Sequence, residues 1–265
     1  MFVCPPLLTC EAFRYQKEQL SDSFRVITYD IRGHGQSESS DVPLSIPLLA
    51  EDIKQLMDVL NIRQTYICGY STGGQLALEA MMTYPDRFLG GIIVSGMSEV
   101  SEWYSAFRIS LAGFISGMRL KRLLCSAISW GNADCGKTFR QLYGYSVKGN
   151  IKNLSQYYHI SKRYNCTSRL HTIKVPVLLI YGNKDKSFLR YARILQRHIP
   201  HCTLHLLEGA THQIPTKRAR DMNNLIRLWI RGELVAVSPQ DEHVPFLSGA
   251  TDTADDGRMP AKPPT

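Results

Sequence analysis

The sequence predicts an α/β fold, a mostly parallel sheet with helices on both faces and a helical insertion. Three observations carry this expectation. Apolar runs of four to six residues alternate with helical segments along most of the chain, and parallel strands need crossover connections, which helices usually supply. A G-x-S-x-G motif, Gly69-Tyr70-Ser71-Thr72-Gly73, stands between one such run and a helix. Residues 101–170 then interrupt the alternation with a block of different composition. At 265 residues and 44% hydrophobic, the chain can bury a sizeable core, which excludes a wholly disordered or collagen-like reading.

In chain order, residues 24–29 (FRVITY) read as a β run that ends at Asp30 and the turn-rich Ile31-Arg32-Gly33-His34-Gly35-Gln36-Ser37. Leu49, Ile53, Leu56 and Leu60 recur at helical spacing. Residues 65–68 form the next strand run, and 75–84 a helix that Pro85 ends. Residues 91–95 are a third strand run and 177–181 a fourth, followed by a helix at 191–198, a strand at 203–207 and a helix at 216–230 closed by Gly232. The tail, 235–265, loses apolar periodicity, gathers Pro, Asp, Ser and Gly, and is expected to be disordered. In such a sheet, functional groups collect in loops at the carboxyl ends of the strands.

Uncharged stretches such as 88–98 and 123–133 fall short of the ~18 apolar residues of a membrane span, so no membrane partner is expected. Residues 1–10 lack the pattern of a secretory signal, and the expected compartment is the cytoplasm. Seven scattered cysteines with no CxxC pair or metal-ligand spacing read as reduced packing residues. The net charge of +8 is localised: residues 101–170 hold eleven Lys and Arg against only Glu102 and Asp134. No nucleic-acid reading motif accompanies that charge, so a nucleic-acid partner is not expected.

The residue with the most pointed context is Ser71. A sharp strand-to-helix turn strains its backbone and projects its hydroxyl from the sheet's end, while the helix starting at Gly73 aims free N–H groups at the same place. A serine nucleophile needs a general base held by a third group. Of eight histidines, His212 alone lies in a loop, Gly209-Ala210-Thr211-His212, between the last strand run and the last helix. The candidate acid is Asp185 in Tyr181-Gly182-Asn183-Lys184-Asp185, directly after the fourth strand run, where a helix-capping role is the alternative.

With its Asp30-Ile31-Arg32-Gly33-His34-Gly35-Gln36-Ser37 turn, its Gly69–Gly74 elbow and its two later loops in the order Ser, Asp, His, the chain resembles the α/β-hydrolase fold family from about residue 2 to 230. The likeness is to members of the cap-bearing esterase, lactonase and cofactor-free haloperoxidase-like kind. The resemblance implies Ser71 as nucleophile, His212 as general base and then acid, Asp185 as the orienting carboxylate, and the Thr72 N–H as an oxyanion donor. It implies neither metal nor cofactor. A serine there also separates the chain from the dehalogenases and epoxide hydrolases of this fold, which use aspartate.

Two departures accompany the likeness. Where the family has a His-Gly pair before its second oxyanion donor, this chain reads Val3-Cys4-Pro5-Pro6-Leu7; proline offers no N–H, so the donor is lost unless Leu7 supplies it. The chain also opens part-way through the family's third strand, so the first strands are expected to be lacking and 24–29 to form an exposed sheet edge.

Residues 1–100 and 171–234 are thus expected to form the hydrolase core and 101–170 a helical cap. Trp103 and Phe107 in the cap, with Tyr70, are expected to line the substrate pocket, and the cap's positive charge to attract an anionic substrate. The implied function is a serine hydrolase cleaving a small carboxylic ester or lactone through an acyl-enzyme. The alternative is a non-catalytic binding protein of the same fold. Neither the substrate's identity nor the oligomeric state is legible.

Overall fold

The structure, a computed structural model, describes residues 1–117 and 120–234, with the backbone alone at 104, 105 and 117. The tail at 235–265 lies outside the described residues. The chain runs through β1 (Phe2–Val3), α1 (Arg14–Leu20), α2 (Ile46–Val59), β2 (Thr65–Tyr70), α3 (Gly73–Thr83) and β3 (Phe88–Val94). Four consecutive helices follow, α4 (Trp103–Gly117), α5 (Lys121–Asn132), α6 (Gly136–Ser146) and α7 (Ile151–Arg163). It then returns to β4 (Val177–Gly182), α8 (Lys186–His198), β5 (Cys202–Leu207), α9 (Ile214–Lys217) and α10 (Ala219–Ile230).

Among the described residues the sheet has five strands, all parallel, in the spatial order β1-β2-β3-β4-β5. One row of register partners, Phe2, Cys68, Ile92, Leu178 and Thr203, crosses the whole sheet. Because helices cover both faces, the strands are apolar on both. Ile67, Ile93 and Leu179 face one side, with Leu49 and Ile53 of α2, Leu76 of α3 and Tyr191 and Leu195 of α8. Their neighbours Cys68, Ile92, Val94, Leu178 and Ile180 face the other, with Leu20 of α1 and Met222 and Ile226 of α10. The inserted helices pack on the loop that leaves β1 through a third cluster, in which Leu7 meets Ala112, Leu124, Cys125, Leu154 and Tyr158.

Two sequence expectations are corrected. Residues 24–29 form no strand; among the described residues they contribute a single bridge, Thr28 to Phe2, beside a hydrogen bond from the Phe2 N–H to the Ile27 carbonyl (2.9 Å). Their one neighbour, β1, is two residues long and offers no more ladder than that. The last helix is split, because Arg218 leaves the helical region (φ −133°) and sends its guanidinium to the Glu208 carbonyl at 2.6 Å. Among the described residues no helix is long and apolar enough to cross a membrane.

The turn after residue 29 buries His34. Its Nδ1 lies 3.1 Å from the Arg32 carbonyl, its ring meets Tyr157 edge-on, and its Nε2 has no partner among the described residues. Burial pushes its pKa from 6.5 down to about 4. The unfolded chain therefore takes up a proton as pH falls below 6.5 and the folded chain does not until about 4. Stability is full above that window and falls through it, by about 3 kcal/mol in all. Urea unfolding of wild type and His34→Gln between pH 6.5 and 5 should show a one-proton slope that the variant lacks; parallel curves would contradict this.

Candidate active site

The site is built on the turn from β2 to α3. Ser71 adopts φ +53°, a left-handed conformation that a non-glycine residue holds only when its surroundings over-determine it. Its N–H donates to the Val94 carbonyl and its carbonyl accepts from Gly74, each at 2.9 Å, so strand and helix both grip it. The flanking glycines permit the turn. A Cβ on Gly69 would stand 2.6 Å from the Gly73 carbonyl oxygen, and one on Gly73 2.4 Å from that of Val3.

Ser71 meets two residues far away in sequence. The His212 Nε2 lies 3.0 Å from Ser71 Oγ, and its Nδ1 2.8 Å from Asp185 Oδ2. A carboxylate can only accept, so Nδ1 of the neutral ring carries the proton and Nε2 is left to accept from the Ser71 hydroxyl. Phe188 packs on the imidazole, ring centres 4.1 Å apart, and Tyr70 flanks it at 5.4 Å.

The loops bearing acid and histidine are fastened to each other before either reaches Ser71. The Asn183 N–H donates to the Leu207 carbonyl, the Lys184 N–H to that of Ala210, and Asn183 Oδ1 accepts from the Gly209 N–H at 2.8 Å. Gly182 comes so close that a Cβ there would stand 2.3 Å from the Ala210 carbonyl oxygen. Asp185 precedes the first residue of α8, yet its side chain makes no cap hydrogen bond and is spent on His212 instead.

Next to Ser71, the Thr72 N–H meets no acceptor among the described residues, and neither does that of Leu7. Leu7 is buried and held at φ +66° in the loop that leaves β1. Beside Thr72 opens a mostly apolar cavity of about 100 Å³, lined by Met97 after β3, Arg108, Ile109 and Ala112 of α4, Ile128 of α5, Tyr158 of α7, and Phe188. Arg108 is its one charged lining residue among those described. A larger recess, about 580 Å³, lies among Met1, Phe24 and Asn61–Tyr66 at the amino ends of the strands, away from Ser71. Among the described residues no cluster of His, Cys, Asp and Glu could hold a metal ion.

Ser71, His212, Asp185 and Thr72 are thus brought together. Tyr70 lies behind the imidazole with its hydroxyl on Asn132 Oδ1 (3.0 Å), outside the cavity lining. Trp103 and Phe107 do not line the cavity either; both are exposed on the opposite face of α4. Sequence reasoning passed over Arg108, Met97 and Phe188. The last two follow the carboxyl ends of β3 and β4, a placement that could have marked them.

Residues 9–126 match the family model described as alpha/beta hydrolase fold. Similar sequences include Serine hydrolase BPHL of Mus musculus, 25% identical over 212 residues that cover 77% of this chain and 68% of the relative. Another is 3-oxoadipate enol-lactonase 2 of Acinetobacter baylyi, 25% identical over 222 residues and 81% of each chain. Among solved structures, the enol-lactonase from Burkholderia xenovorans superposes with a TM-score of 0.76 at 20% identity, covering 87% of this chain and 90% of that one.

Proposed function

The chain belongs to the α/β-hydrolase fold family, and we propose that it is a serine hydrolase that cleaves a small carboxylic ester or lactone through an acyl-enzyme. The observation that carries this is the unbroken chain of contacts from Ser71 Oγ through His212 to Asp185, 3.0 and 2.8 Å, at a strained strand-to-helix turn. The likeness to hydrolases and enol-lactonases supports the same reaction class.

In this reading His212 Nε2 takes the Ser71 proton as Oγ adds to the substrate carbonyl, and Asp185 stabilises the resulting imidazolium. The carbonyl oxygen, now an alkoxide, turns to the Thr72 N–H at the start of α3 and to the Leu7 N–H. In this way Leu7 fills the donor position that Pro6 cannot. The imidazolium gives its proton to the departing alcohol oxygen. Water then repeats the sequence on the acyl-enzyme, with His212 as base, and frees the acid. Each step is an acyl or proton transfer that these groups carry without a metal or an organic cofactor.

The helices α4–α7 act as the cap, and their apolar side chains shape the acyl pocket. Arg108, the one charged lining residue described, favours a substrate that carries a carboxylate, since a cation beside an apolar cavity attracts an anion into it. The reaction should show a burst of p-nitrophenol from a short-chain p-nitrophenyl ester, stoichiometric with protein, before slower turnover. In the same assay, added salt should lower kcat/KM for a carboxylate-bearing ester and spare a neutral one. A folded protein that binds these esters and releases no p-nitrophenol would favour a binding protein. Equal salt responses would remove the carboxylate preference.

A further inference from the structure

The inner face of α4 lines the cavity, but its outer face is also apolar, and it is open to solvent. Trp103 is 77% exposed, Phe107 56%, Leu111 43% and Phe114 65%. At spacings of four, four and three residues on a helix of 3.6 per turn, they fall within one stripe ~80° wide. On the neighbouring α5, Leu123 and Trp130, seven residues apart, add exposed apolar area. A folded chain rarely leaves such an apolar stripe open unless something binds there.

The surroundings of the stripe say what kind of partner fits. Phe114 shares a groove of about 420 Å³ with His159, Lys162 and Arg163 of α7. Those three, with Lys152 and Arg122 nearby in the insertion, are exposed. Residues 101–170 carry eleven Lys and Arg against two acids. Aromatic and aliphatic side chains on one helix face, edged by cations, form the pattern of a helix lying in the plane of an anionic lipid surface. A second copy fits less well, because a two-fold contact through this face would bring two like-charged clusters together. Nucleic acid leaves Leu111 and Leu123 without a role.

We propose that the outer face of α4, with the groove it shares with α7, docks on membranes rich in anionic phospholipid. The stripe sits at headgroup depth, and Lys162 and Arg163 meet the phosphates. This replaces the expectation of no membrane partner by surface contact rather than a span. It also turns a helix that lines the cavity toward the lipid, so that an ester dissolved there would have a short path to the site.

The test is flotation of the full chain with vesicles of phosphatidylcholine alone or mixed with phosphatidylserine. Binding to the mixed vesicles, weak binding to phosphatidylcholine and loss in high salt are expected. Lys162→Glu/Arg163→Glu and Leu111→Ser/Phe114→Ser should each lower binding about tenfold or more. Circular dichroism and Tm of both variants should match wild type, so that loss of binding is not loss of fold. No flotation with the mixed vesicles, equal flotation with both kinds, or variants that float like wild type would overturn the proposal. So would a dimer in sedimentation that Leu111→Ser/Phe114→Ser disperses while no vesicle binds. Flotation needs no turnover, so its failure is separate from failure of the hydrolase reading.

Discussion

Ser71→Ala is expected to lower kcat for p-nitrophenyl ester hydrolysis by about 10⁴-fold or more, to whatever rate the oxyanion donors and binding sustain by themselves. The size follows from what the change removes. Ser71 Oγ is the atom that His212 Nε2 addresses at 3.0 Å, and alanine leaves nothing there to become acylated. The burst should vanish along with steady-state turnover. Stability should change little, because the alanine keeps the backbone hydrogen bonds that hold position 71, to Val94 and from Gly74. A variant that keeps the fold and more than about a hundredth of wild-type activity would place the nucleophile elsewhere.

If the proposed roles hold, Asp185→Asn lowers kcat by roughly 10⁴-fold, the loss found in serine-protease triads where asparagine imposes the wrong tautomer. A carboxylate only accepts, so Nδ1 at 2.8 Å must be the protonated nitrogen. An asparagine amide can donate to Nδ1 instead, and the ring proton then moves to Nε2. There it faces Ser71 Oγ and can no longer take the serine's proton. The variant should keep its fold, because asparagine fills the same space and the loops around Asn183 and Gly209 are fastened through other atoms. Loss confined to kcat, with KM near wild type, separates this effect from damage to the cavity. Wild-type activity in Asp185→Asn would take Asp185 out of the reaction and leave its contact with His212 a structural one.

Much of this was legible in the sequence, for identifiable reasons. A parallel strand buried on both faces is a short apolar run, and β2 to β4 each show one, while the edge strand β5 is only partly buried. The elbow was legible because a strand, a glycine-flanked serine and a helix follow each other without a gap. Asp185 was legible because it follows directly on a strand run, and His212 because it lies in the loop between the last strand run and the last helix. What failed depended on distant partners or on the choice between two helix faces. Residues 24–29 have the composition of a strand, but β1 is too short to pair with more than one of them. Trp103 and Phe107 were assigned to the pocket for their aromatic character, yet α4 is apolar on two faces, and the face bearing Arg108, Ile109 and Ala112 turns inward. The sequence left open whether the Pro5-Pro6 pair loses an oxyanion donor or Leu7 supplies it. Only the fold shows Leu7 turned to φ +66° with an N–H that no described residue takes up. The fastening of Asn183 and Lys184 to the histidine loop likewise joins segments more than twenty residues apart, which no local pattern announces.

Peptide mass mapping after treatment with a fluorophosphonate tests the central claim most directly, because such reagents phosphonylate a serine only where a base and an oxyanion site act on it together. The account predicts one adduct, on Ser71, absent from Ser71→Ala and formed far more slowly in His212→Ala. A folded protein that stays unlabelled, or that carries its label on another residue, would contradict it.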